Sequence, residues 1–65
     1  MTMLVQIQLG GLSFGLVVED GMIVKAAPVA LWTLSHSWKV IENHYRRRGA
    51  KITIVAETLD LPAQV

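Results

Sequence analysis

A chain of 65 residues with no cysteine, 52% hydrophobic side chains and six basic against five acidic residues excludes several classes at once. It has room for one domain, it has no disulfide or thiolate chemistry, and at net charge +1 it carries no broad basic footprint for nucleic acid. A domain this small buries only about 60% of the surface its unfolded chain exposes, so with so apolar a composition it is expected to self-associate as a homodimer or higher oligomer.

Met1 to Val18 holds no charged residue. The run is nevertheless interrupted by Gln6, Gln8, Ser13 and three glycines, whereas a lipid-spanning helix takes about 20 mostly apolar residues. No basic n-region or small-residue cleavage site marks a signal peptide. The expected protein is soluble and cytoplasmic, with no membrane partner.

Met3, Val5, Ile7 and Leu9 alternate with Thr2, Gln6 and Gln8, which predicts a half-buried strand. Gly10-Gly11 supplies the reversal. Leu12, Phe14, Leu16 and Val18 then share one face of a second strand, opposite Ser13, Gly15 and Val17. Asp20-Gly21 between apolar runs is a strong hairpin signal, and Met22 to Ala26 is the returning strand. Pro28 suits the first turn of a helix, where its missing N–H costs nothing. Val29 to Leu34 is expected to form one or two helical turns, ending at Ser35-His36-Ser37.

Ser37 is the expected N-cap of a second helix over Trp38 to Arg48. Trp38, Ile41 and Tyr45 form its apolar stripe, flanked by Val40 and His44, while Lys39, Glu42, Asn43 and Arg46 face away. Arg46, Arg47 and Arg48 fill the last turn and Gly49 follows, the usual pattern at a helix C-terminus. Lys51 to Ala56 alternates again and predicts a fourth strand. The reading is an α+β domain over residues 1–56, with β-β-β-α-β order. It has a mainly antiparallel four-stranded sheet with helices packed on one face, followed by a flexible tail over residues 57–65. Leu4, Val17, Ile23 and Val55 fall out of phase with the core residues, so the second sheet face is expected to be apolar too.

Candidate binding residues are Trp32, His36, Arg46, Arg47 and Arg48. The arginines, with Lys39 and Lys51 nearby, match phosphate geometry, yet they equally suit a helix C-terminus and point in directions about 100° apart. Trp32 belongs to a short helix that is not expected to cover it fully; Trp38 and Tyr45, at helical spacing with Ile41, are expected in the core. His36 and His44 lack metal-ligand spacing, and neither stands in a nucleophile–base arrangement with Ser35, Ser37, Asp20 or Glu42. Gly10, Gly11 and Gly15 open no helix and precede no Lys-Ser/Thr pair, so they make no phosphate loop. No catalytic residue, metal site or cofactor is expected.

The stretch from Phe14-Gly15 through the hairpin to Ala26-Ala27-Pro28, then Trp32, Trp38 and Tyr45-Arg46-Arg47-Arg48-Gly49-Ala50, resembles small uncharacterised proteins encoded by bacteriophages and prophages. It covers about Phe14 to Val55 and departs at Leu31, where those proteins would carry arginine, and at Ser35, where they would carry glycine. The resemblance implies a cytosolic, host-directed accessory role, and the expected function is to bind a host or phage macromolecule, with inhibition of a defence or transcription component as one form of it. The alternative is a nucleic-acid or nucleotide binder using the Arg46–Arg48 cluster.

Overall fold

A computed structural model describes residues 1–58. Its elements are β1 (Thr2–Leu9), β2 (Leu12–Glu19), β3 (Met22–Ala26), a 3-10 segment (Pro28–Thr33), α1 (Trp38–Arg46) and β4 (Lys51–Thr58). The sheet has order β3-β2-β1-β4 and every neighbouring pair is antiparallel. This is the expected α+β architecture, with α1 laid across one face. The fourth strand runs two residues further than its alternation suggested, through Glu57 to Thr58. The remainder of the expected tail, residues 59–65, lies outside the described residues.

Both hairpins close through two-residue loops, between the paired residues Leu9 and Leu12 and between Glu19 and Met22. Asp20 (φ 49°) and Gly21 (φ 82°) both take the left-handed region, the sign pattern of a type I′ turn, whose twist matches that of its strands. The Asp20 carboxylate also receives the Met1 ammonium at 2.9 Å, and its backbone N–H donates to the Met1 carbonyl at 3.0 Å.

The core forms where the inward residues of β1 and β2 face each other. Val5 pairs with Leu16 and Ile7 with Phe14, and all four are buried. Ile41 and Tyr45 of α1 close this layer from above, joined by Val18, Ile23 and Ala30. Trp38 is half-buried at the rim, and Leu12, although in phase, is exposed at the hairpin tip. Ile23 corrects the sequence reading: it lies in the core and not on the second face. The two-residue turn sets Ile23 opposite Val18, and the register shifts just beyond, between Val17 and Val18, which leaves Val24 over and exposed. A bulge of this kind reverses the inward–outward phase within a strand.

A second register shift lies between β1 and β4, where Val5 pairs with Ile54 but Leu4 pairs with Ala56. The face away from α1 carries Leu4, Val17 and Val55, with a Gln6–Ser13 side-chain hydrogen bond of 2.7 Å among them. Leu4 and Val55 are exposed. A shallow concavity of about 370 Å³ sinks between these residues over Gly15.

The start of α1 is satisfied from the sheet. Ser37 is extended and its side chain makes no capping bond, while the Trp38 N–H donates to the Gly21 carbonyl at 2.8 Å. At the other end the helix stops at Arg46, two residues before the expected Arg48. Gly49 takes φ 83°, its N–H donates to the Arg46 carbonyl and the Ala50 N–H to the Tyr45 carbonyl, both at 3.0 Å. These paired bonds define a Schellman ending, in which the left-handed glycine turns the chain back toward the core.

Gly21 has no atom within 4 Å of the place a Cβ would occupy, so a side chain there meets backbone strain and nothing else. Gly21→Val is expected to cost about 1–2 kcal/mol. Thermal unfolding reads this as a Tm lower by several degrees, and an unchanged Tm would contradict the turn geometry.

Candidate functional site

The backbone between the 3-10 segment and α1 is fixed by β3. Ile23 donates to the His36 carbonyl at 3.1 Å, Ser35 donates to the Ile23 carbonyl at 2.9 Å, and Met22 bridges to Ser37. Within the 3-10 segment the chain kinks at Ala30 (φ −121°), which is fully buried. The Thr33 hydroxyl, also buried, donates to the Ala30 carbonyl at 2.7 Å. With Ala30 and Thr33 turned inward, their neighbours Leu31 and Trp32 turn out.

Trp32 is 48% exposed, yet its ring is not loose. It meets His44 edge to face at 4.9 Å, His36 at 5.9 Å and Tyr45 at 6.1 Å. Tyr45 in turn meets Phe14 at 5.5 Å. A continuous row of rings therefore leads from the core to the surface, with centroid spacings in the range where aromatic pairs attract. An exposed indole held in this way is an anchor of fixed orientation, and exposed Leu31 lies beside it in sequence.

The basic run divides. Arg46 is engaged by Glu42, one turn back, through Nε at 3.2 Å and Nη2 at 2.9 Å to the same carboxylate oxygen. Arg48 lies on the other flank, where its Nη1 approaches His44 Nδ1 at 3.3 Å and the His44 carbonyl at 3.4 Å. A guanidinium only donates, so in this contact the His44 Nδ1 is the acceptor. Arg47 and Arg48 line an open groove of about 500 Å³ together with Val40, Asn43 and His44. His44, placed only as a flank of the helix stripe by sequence, is thus the hinge of the site. It packs on Trp32, bonds Arg48 and lines the groove.

Of the five residues expected to bind, Trp32 and His36 come together, Arg47 and Arg48 border the adjoining groove, and Arg46 is held apart by Glu42. The signal for His44 lay in its spacing, four residues before Arg48, which puts both on one side of the helix. Among the described residues, no group of three or more His, Asp or Glu side chains could hold a metal ion, and no helix is long and apolar enough to cross a membrane. No known protein family, curated protein or solved structure matches this chain.

Ser35, which carries the chain from Trp32 to His36, takes φ 68°. The left-handed region favours glycine. Ser35→Gly is expected to stabilise the fold by about 0.5 kcal/mol, the relief of side-chain strain less the entropy cost of glycine. Denaturant unfolding tests this; a lower midpoint at unchanged m-value would show that serine is not strained there.

Proposed function

We propose that this chain is a small interaction protein, of the kind carried by phages, which binds a host or phage macromolecule through the surface centred on Trp32 and so inhibits it. The observation that carries the reading is the half-exposed indole, braced by His36, His44 and Tyr45. Trp, Tyr and Arg are the residues in which interface binding energy concentrates, and an anchor already ordered in the free protein loses little entropy on binding. Leu31 and Val40 add exposed apolar area, and Arg47 and Arg48 supply a polar rim. The role is binding, without catalysis or cofactor, and its setting is the host cytoplasm.

A nucleic-acid or nucleotide ligand is the second reading, favoured by the groove that Arg47 and Arg48 share. Two features weigh against it. The groove lies at a helix C-terminus, where backbone carbonyls repel an anion, and Arg48 already spends donors on His44.

The two readings separate by salt. Affinity capture from bacterial lysate with the wild-type chain and with Trp32→Ala is expected to yield a bound protein that persists at high salt and is lost in the variant. Phosphate contacts would instead weaken steeply with salt, by about one unit of log–log slope per contact. Tight, salt-sensitive binding to a labelled oligonucleotide or to ATP, abolished in the Arg47→Gln/Arg48→Gln double variant, would replace the first reading with the second.

A further inference from the structure

We infer that β4 is the edge through which two copies of this chain pair, strand to strand and antiparallel, about a twofold axis at Thr53. The inference stands independently of the Trp32 surface. β4 is the terminal strand of the order β3-β2-β1-β4, and among the described residues it pairs only with β1. Half of its backbone donors and acceptors therefore face outward, and such a row is a template for another strand.

The opposite edge is blocked at Met22 and Ile23. Met22 bridges to Ser37 and Ile23 exchanges backbone hydrogen bonds with Ser35 and His36, so the connector blocks further pairing at the start of β3. A sheet with one open edge forms a closed pair, whereas two open edges would propagate into a fibre. The occupant is thus a second copy and the symmetry twofold.

The strand complements itself. Lys51 lies at one end of β4 and Glu57 near the other. Lys51 lies opposite Gln8 on the face away from α1 and Glu57 opposite Met3 on the helix face, so the self-complementarity of the edge is apolar and not charged. Between these ends the edge carries exposed Ile54 and Val55. The register follows from the bulge. Alternation along β4 is regular from Lys51 to Val55 and changes phase beyond it, as the shift between Leu4 and Val5 records. The midpoint of the regular segment is Thr53. Centring there puts Thr53 opposite the partner's Thr53, Ile52 opposite the partner's Ile54 and Lys51 opposite the partner's Val55. Ile52 already packs against the core, so the Ile52–Ile54 pairs carry the apolar layer across the axis. The axis is perpendicular to the sheet, which leaves both helices on one side of eight continuous strands.

Sedimentation over a rising concentration series is expected to show two 7.2 kDa chains associating. The chain has no cysteine, so a single introduced thiol links only between copies. Directly opposed residues in an antiparallel pair have Cα atoms about 4.5–5.5 Å apart, within the span of a disulfide. Thr53→Cys is expected to cross-link under mild oxidation at least about tenfold faster than Val17→Cys, which sits on the open face away from the edge. Thr53→Lys, which sets like charges directly opposite, is expected to weaken the dimer by about tenfold or more with an unchanged circular dichroism spectrum. A chain that stays monomeric throughout overturns the inference. So does a dimer in which Val17→Cys links as fast as Thr53→Cys, since that places the contact on the sheet face.

Discussion

One short helix and a single 3-10 segment have to cover four strands, and the shape of this protein follows from the mismatch. Nine helical residues are about 14 Å long. The three eight-residue strands are about 26 Å long, and the four strands of the sheet span about 14 Å between the outermost axes. The helix therefore seals the middle of one face, where Ile41 and Tyr45 meet Val5, Ile7, Phe14 and Leu16. What lies outside that footprint stays partly wet: Ile54 on the outer strand, Trp38 at the rim, and the whole of the second face. The edge proposed for pairing is a place the helix does not reach, whereas the Trp32 surface is built against the helix's own flank.

Much of the architecture was legible in the sequence because alternation in β1 and β2 is long and regular, and because Asp20-Gly21 and Gly49 occupy left-handed positions that a type I′ turn and a Schellman ending require. What was not legible was phase. Ile23 reads as facing away from the core when its phase is counted along β3 from Ala26, because that count cannot register the extra residue at Val24, whereas the two-residue turn sets Ile23 opposite Val18. The same event in β4 puts Val55 and Ala56 out of step with Ile52 and Ile54. Bulges arise from pairing with a neighbour, and one strand's own pattern does not contain them.

The candidate site was half legible for a similar reason. Composition drew attention to Trp32 and to three consecutive arginines, but consecutive residues on a helix diverge, and the partners that sort them are set by spacing and tertiary contact. Glu42 takes Arg46 to one flank, while His44 takes Arg48 to the other. The buried pair Ala30 and Thr33 fixes the direction of Trp32, and nothing in their residue types announces it. A threonine at the centre of a core is readable only once its hydroxyl has found the Ala30 carbonyl.

The strand order β3-β2-β1-β4 also sorts the sheet by when it can form. β1, β2 and β3 meet through two-residue turns, and the connector that edges β3 lies close to it in sequence, so these contacts close small loops. β4 must find β1 across the whole intervening chain, Lys51 beside Gln8 and Thr58 beside Thr2. Loop-closure entropy then makes β4 the last strand to dock and the first to leave. Its amides are the ones that local opening exposes to deuterium, at rates set by the free energy of detaching one strand and not of unfolding the whole domain. An outer edge held by a second copy would slow that exchange, which makes the kinetics of β4 a reporter on the company the protein keeps.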